Sequence, residues 1–192
     1  MNRREFVRLA AAAPLTAAAP KQHEAPRMSA NDSDTPATKP FVVMPETART
    51  YDIGHGEARI LVGAEQTSGA WWLASLMSEP GRKTSLHVHY IADEQFYVLE
   101  GTLSVWIEDR WQELPAGSVA AVPRGVHHAL GNRSSKNVRF LASGNPAGFE
   151  RYFADIEEIA RRLPYASPEF LAELRKIYRK YESELLGPPP EG

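Results

Sequence analysis

The sequence predicts an all-β domain, a barrel or sandwich of short strands, followed by α-helices at its C-terminal end. Two observations carry this. Between residues 41 and 146, short runs rich in β-branched and aromatic residues alternate with turn-forming pairs at hairpin spacing. Beyond residue 148 the apolar residues recur at helical spacing instead. A chain of 192 residues with 43% hydrophobic content can bury one substantial core, so a single domain is expected. Lys and Arg total 22 against 24 Asp and Glu, a net charge of -2, which leaves no broad basic face and excludes nucleic acid as an expected partner. The absence of cysteine removes disulfides, thiolate metal sites and cysteine nucleophiles together.

The first 19 residues open on Arg3, Arg4, Glu5, Phe6, Val7 and Arg8 and continue as an Ala-rich segment with Leu9 and Leu15. Basic, then weakly apolar, then small residues is the layout of a secretory leader. The opening resembles the twin-arginine type of signal peptide, which implies export in a folded state to a periplasm. A frayed Ala-rich helix is the alternative. Pro20 disfavours a cut directly after Ala19, so cleavage after Ala18 or further on is expected. The apolar segment falls well short of the roughly 20 residues that a permanent membrane anchor needs. Residues 20–40 are rich in Pro, Ser, Thr, Asn, Asp and Lys without periodicity, and read as a disordered linker containing His23.

Residues 41–44 are the first expected strand, and residues 59–62 and 71–77 the next two. Turns are expected at Ser68-Gly69, Pro80-Gly81, Glu100-Gly101, Glu108-Asp109-Arg110 and Pro115-Ala116-Gly117. Leu103, Val105 and Ile107 fit one buried strand face, and residues 138–142 supply a late strand. After the barrel, Tyr152, Phe153, Ile156, Ile159 and Leu163 space out a helix that Pro164 stops. A second helix is signalled by Ser167 as N-cap, Pro168 in the first turn and Glu169 near the positive end. Phe170, Leu174, Ile177, Tyr181 and Leu185 would line its buried face until Gly187 and the prolines at 188–190 end it. These helices (148–186, with a tail at 187–192) are expected to cover the outside of the barrel, with a partner-binding surface as the alternative.

The chemistry concentrates in residues 81–101. His87 and His89 stand two apart, so on a strand both imidazoles project to one side. Glu94 follows within Glu-Gln-Phe-Tyr-Val-Leu, where Glu94, Phe96 and Val98 share a face. Imidazoles and a carboxylate inside an apolar wall suit a first-row divalent metal, and the carboxylate without a cation partner would be costly. A second stretch, residues 117–132, offers the neighbours His127 and His128, of which only one can face inward on a strand.

These stretches resemble the two cupin motifs. Gly81, His87, His89, Glu94 and Gly101 occupy the fixed positions of the first, and Gly117, Pro123, Gly125, His128 and Asn132 those of the second. The resemblance implies a single-domain cupin jelly roll, a double-stranded β-helix, over residues 41–147. It also implies that His128 rather than His127 joins His87, His89 and Glu94 as ligand to one divalent transition metal (Mn, Fe, Co, Ni, Cu or Zn), with one or two coordination positions open. Ser118 stands where many cupins carry Asp, beside a turn and away from the ligands. Segments 65–71 and 148–153 and the Leu186-Gly-Pro-Pro ending are similar to small bacterial single-domain cupins of the quercetin-dioxygenase-like group.

The function this implies is a metal-dependent dioxygenase acting on a flavonol-like or other enolisable small molecule, with dioxygen as co-substrate and Glu94 as general base. A non-catalytic ligand-binding or metal-binding cupin, or a cupin isomerase or decarboxylase, is the alternative. A homodimer is compatible with either. Trp71, Trp72, Tyr90, Phe96, Tyr97 and Trp106 are candidates for a pocket wall, although barrel cores use such side chains anyway. His127 reads as a rim residue, His55 as a turn residue, and Glu100 and Glu108 as solvated; no phosphate-binding loop or Gly-x-Ser-x-Gly elbow is present. The export expectation has a direct test. Replacing Arg3 and Arg4 by Lys is expected to hold a tagged chain in the cytoplasm, and fractionation that finds its export unchanged overturns the reading.

Overall fold

The computed structural model describes residues 39–54 and 56–191. The leader (1–19), the linker (20–40) save its last two residues, His23 and His55 lie outside the described residues. The strand expected at 41–44 does not form. Val42 is 85% exposed there. Pro45 has no N–H to give to a ladder, and the chain turns instead, with the N–H and hydroxyl of Thr47 donating to the carbonyl of Met44 at 3.0 and 2.9 Å. β propensity counts only where a partner strand packs against it, and this run has none.

The first strand is therefore β1 (Arg49–Asp52), antiparallel to β2 (Gly56–Val62), which pairs with β3 (Trp72–Ser78). A four-residue helix, α1 (Ala64–Thr67), occupies the β2–β3 connection where only a turn was expected. The Gln66 side-chain oxygen accepts from Gly63 N–H and Glu150 accepts from Ala64 N–H, so the first amides of this turn are satisfied. Next come β4 (Leu86–His89), β5 (Asp93–Glu100), β6 (Thr102–Ile107), β7 (Arg110–Pro115), β8 (Val119–Val122), β9 (Ala129–Gly131) and β10 (Val138–Asn145). β6 and β7 form a hairpin through Glu108 and Asp109, both left-handed at φ 52° and 60°, a two-residue turn whose twist matches that of the strands.

One sheet runs β1-β2-β3-β10-β5-β8 and another β7-β6-β9. Period-two alternation sorts each strand. In β5, Glu94, Phe96 and Val98 are buried while Tyr97 and Leu99 face solvent, the face expected from sequence. Trp72, Phe96, Val98, Leu103, Val105 and Phe140 meet in one core between the sheets. The architecture is that of an all-β jelly roll with C-terminal helices.

Beyond the barrel a 3₁₀ turn (Phe149–Arg151) leads into α2 (Tyr152–Ala160) and α3 (Pro168–Lys180). The start of α3 follows the sequence signals: Ser167 Oγ accepts from Phe170 N–H at 3.1 Å, and Pro168 occupies the first helical position. Its end does not. The helix stops at Lys180, Glu182 takes a left-handed φ of 49°, and residues from Ser183 form β11 (Ser183–Gly187) against β4. Leu185 thus belongs to a strand, although it stands four residues after Tyr181 at helical spacing. The reason is tertiary: β4 offers an edge whose N–H and C=O groups need partners, and pairing outweighs continued helix. The helices also do not simply wrap the outside. Tyr152, Phe153, Ile156 and Tyr178 reach into the cavity beside the histidines.

Packing around the site is tight enough to test. A Cβ at Gly144, opposite Glu94 in the β10–β5 ladder, would come within 2.5 Å of Trp72 Nε1 and 3.1 Å of the Asp93 carbonyl. Gly144→Ala is expected to destabilise the domain by about 1–3 kcal/mol in chemical denaturation, the usual range for overpacking.

Candidate metal centre

His87 and His89 come from β4, Glu94 from the start of β5, and His128 from the residue before β9. These residues are 4%, 3%, 4% and 1% exposed, and one donor atom from each lies within 4.8 Å of the others. The local backbone explains the convergence. β4 alternation puts both its imidazoles inward, and His128 is brought opposite His87 by two backbone hydrogen bonds, His87 N to His128 O at 3.0 Å and His128 N to His87 O at 2.9 Å. His127 consequently points outward and is exposed.

The second-motif residues act as scaffolding. Gly125 is left-handed at φ 80° and donates its N–H to the His89 carbonyl at 2.8 Å, a turn that a side chain would strain. Arg124 clamps Asp93, next to Glu94, through its backbone N–H (2.9 Å), Nε (3.0 Å) and a second guanidinium nitrogen (3.0 Å). These hydrogen bonds hold the Asp93 carboxyl at about 2. Buried Asn132 donates to the carbonyls of Ser78 and Lys136 and accepts from Ser134, which closes the loop behind β9.

Each imidazole has its outer nitrogen committed. His87 Nδ1 bonds to the Ser85 carbonyl at 2.8 Å and His128 Nδ1 to the Val126 carbonyl at 3.0 Å. His89 Nδ1 lies 2.8 Å from Ser183 Oγ, and that hydroxyl donates its own proton to the Tyr181 carbonyl, so it can only accept from the ring. All three rings are thereby held as Nδ1–H tautomers, with the Nε2 lone pairs turned inward. Glu94 Oε2 stands 3.2 Å from both His89 Nε2 and His128 Nε2, and His89 Nε2 makes no hydrogen bond. Inward lone pairs facing a buried carboxylate repel one another unless a cation lies among them. Donors 3.2 Å apart also match adjacent ligands of an ion with bonds of about 2.0–2.1 Å. The set fits a divalent metal.

The surrounding electrostatics agree. Burial pushes the Glu94 carboxyl up, but the close approach of His89 and His128 outweighs this and holds it below the usual carboxylate range. Burial, then the neighbouring His128 and His89, pushes His87 well below its ordinary value near 6.5. Burial also raises Tyr152 and Tyr178, so both phenols stay protonated beside the site.

The cavity over His87, His89 and Glu94 is lined by Trp72, Phe96, Phe149, Tyr152, Phe153 and Tyr178 with Thr84 and aliphatic side chains. Of the aromatic residues singled out from sequence, Trp72 and Phe96 line it. Trp71, Tyr90 and Tyr97 are 44%, 52% and 45% exposed, and Trp106 lies in β6 away from it. Sequence reasoning missed Phe149, Tyr178 and Ser183. The Phe149 ring centre is 4.3 Å from that of His89, edge to face, and Tyr178 stands 5.3 Å from His87. A signal did exist for Tyr178, a residue with a polar handle on the apolar stripe of a helix. Ser183 carried none.

The shift at His87 yields a pH dependence with a definite sign. In the unfolded metal-free chain His87 takes up a proton as pH falls through about 6.5, while in the native state it does not, so acidification favours unfolding. Glu94 acts in the same direction lower down: its stabilising contribution is present above the ordinary carboxylate range and is lost as pH falls through the depressed native value. Metal-free protein is expected to lose thermal stability below about pH 6.5, with a slope approaching about 1.4 kcal/mol per pH unit for His87 alone. His87→Gln should flatten that slope. A parent and variant with parallel profiles between about pH 7 and pH 5 would overturn the assignment.

Comparison with known proteins points the same way. Residues 76–144 match the cupin domain family. The chain is 25% identical over 132 residues to quercetin 2,3-dioxygenase of Bacillus subtilis, covering 68% of this chain and 39% of that protein. It is 28% identical over 74 residues to an uncharacterized protein of Methanocaldococcus jannaschii, covering 38% of this chain and 59% of the other. It therefore spans less than two thirds of the length of either relative. Among solved structures, KdgF from Halomonas sp. superposes with a TM-score of 0.52 at 14% identity over 58% of this chain and 98% of its own. An RmlC-like cupin from Shewanella frigidimarina gives a TM-score of 0.50 at 19% identity, over 58% and 96%. With its antiparallel sheets, the cupin-domain match across β3 to β10 and a buried set of three histidines and a glutamate, this chain folds as a jelly roll of the cupin kind.

Proposed function

We propose that this protein is a metal-dependent cupin enzyme, a dioxygenase acting on a compact, enolisable and largely apolar molecule. The observation that supports it best is the inward-facing set of His87, His89, Glu94 and His128, of which His87, His89 and Glu94 form the floor of an apolar cavity. The likeness to quercetin 2,3-dioxygenase of Bacillus subtilis adds the oxidative direction.

A divalent ion held there would polarise a substrate oxygen and lower the pKa of its hydroxyl. The chain's own residues do the rest. Glu94 accepts the hydroxyl proton, since its carboxylate is held ionised inside an apolar wall. His87, His89 and His128 stay fixed by their Nδ1 bonds, so the donor nitrogens need no reorganisation. Trp72, Phe96, Phe149 and Phe153 exclude water and offer ring faces to a planar substrate. Dioxygen then supplies both atoms incorporated into the product.

Size and charge narrow the substrate. The cavity volume is about 60 Å³, on a scale where one water needs roughly 10–15 Å³. It holds a small organic molecule, and a three-ring flavonol enters only if the wall formed by α2 and α3 moves outward. Among the described residues that line it there is no Lys or Arg, so a substrate with several carboxylates would lack counter-charges. This favours neutral enediols over polyacids, and oxidation over the decarboxylase reading.

The test is oxygen uptake by metal-loaded protein offered compact enediols and, in parallel, flavonols. Uptake is expected with the compact compounds, and Glu94→Gln should lower kcat by about 10²-fold or more. Stabilisation by ligand without oxygen consumption or product would instead establish a binding protein. His87→Ala combined with His128→Ala should abolish metal uptake, and a double variant that binds as much metal as the parent removes the site.

A further inference from the structure

Two of the three ligand-type histidines find their Nδ1 partner two residues back in the chain, Ser85 for His87 and Val126 for His128. His89 does not. Its partner is Ser183, 94 residues further on, 2.8 Å away and 3% exposed. Ser183 sits directly opposite His89 in the β11–β4 ladder, and Leu185 opposite His87, so the strand that presents both histidines is paired along one edge by the C-terminal segment. The same segment supplies Tyr178, whose ring lies 5.3 Å from His87 and is nearly parallel to His89 at 6.2 Å. Tyr181 ties the end of α3 to α2 through Asp155 at 2.7 Å.

Resting on the metal reading above, we infer that Ser183 is a positioning residue that couples metal binding to docking of the C-terminal clasp α3–β11. The argument is about one proton. Ser183 Oγ gives its hydrogen to the Tyr181 carbonyl, which leaves it as an acceptor and holds the proton of His89 on Nδ1. His89 Nε2, which is buried without a hydrogen bond, is then available as a donor atom. With β11 undocked, nothing in the described structure selects that tautomer, and the β4 edge and the cavity wall at Tyr178 open to solvent. Linkage makes the effect reciprocal: whatever factor docking adds to metal affinity, metal adds to docking. The clasp is also the element that can open the cavity to substrate, because it carries part of the wall and is held to β4 by the edge of a two-stranded pair. An ion in the site therefore closes the compartment around itself.

The experiment uses the full metal-free chain with Co²⁺ as the probe, titrated against a chromophoric chelator, together with hydrogen exchange of residues 183–187. Ser183→Ala is expected to bind Co²⁺ 10–100-fold more weakly, the usual effect of removing a partner of a ligating histidine. Ser183→Thr keeps the hydroxyl and should stay near the parent. Adding Co²⁺ to the parent should slow exchange across 183–187, and in Ser183→Ala this protection should shrink. A parent that binds Co²⁺ while Ser183→Ala binds it equally tightly overturns the coupling alone. A parent that takes up no Co²⁺ overturns the metal reading and this inference with it. If Ser183→Ala does not fold, the parent decides: exchange across 183–187 unchanged by Co²⁺ overturns the coupling.

Discussion

A carboxylate and three imidazoles with inward lone pairs share a volume from which solvent is almost excluded, and much of the rest of the structure can be understood as holding that arrangement together. Left to themselves such groups would rotate apart or take up protons, because burial penalises the charge and like lone pairs repel. What prevents this is the commitment of every outer nitrogen. Ser85, Val126 and Ser183 each take an Nδ1–H, and none of the three rings can turn without losing that bond. The Asp93–Arg124 clamp and the left-handed turn at Gly125 then hold the two ligand-bearing loops to each other.

The jelly roll suits this task for a physical reason. Antiparallel strands send alternate side chains to one interior, so residues far apart in sequence reach a common point while their backbone groups remain bonded in ladders. His87 and His128 are neighbours across two backbone hydrogen bonds, although 41 positions separate them in the chain. Rigidity of the ligand set follows from the sheet, and the aromatic packing above it follows from the helices. Phe149 and Tyr152 stack at 4.7 Å, and Tyr178 meets Tyr152 edge to face at 5.2 Å. The cavity is consequently an aromatic chamber with a polar floor, and its chemistry is confined to that floor.

The C-terminal segment changes how the barrel should be regarded. Without α3 and β11 the strand carrying two of the four site residues would present an unpaired edge, and the cavity would lose a wall. The helices are thus part of the site rather than a cover on its exterior. The outward face of the six-stranded sheet, by contrast, leaves Tyr97, Leu99 and Val119 exposed and takes no part in the chemistry described here.

By itself the sequence determined the class of fold and the four residues at its centre. Alternation and turn spacing are local properties, and the resemblance to the two cupin motifs singles out His87, His89, Glu94 and His128. Turn residues such as Gly101 and Gly125 were legible for the same reason, as was the Ser167 cap of α3. Three things were decided only by tertiary structure. The run at 41–44 found no partner strand and stayed out of the sheet, and residues 183–187 left a helical pattern to pair with an open edge. Ser183 became the partner of His89. In the last two cases the deciding interaction joins residues distant in sequence, and a hydrogen bond across 94 positions leaves no trace in any local pattern.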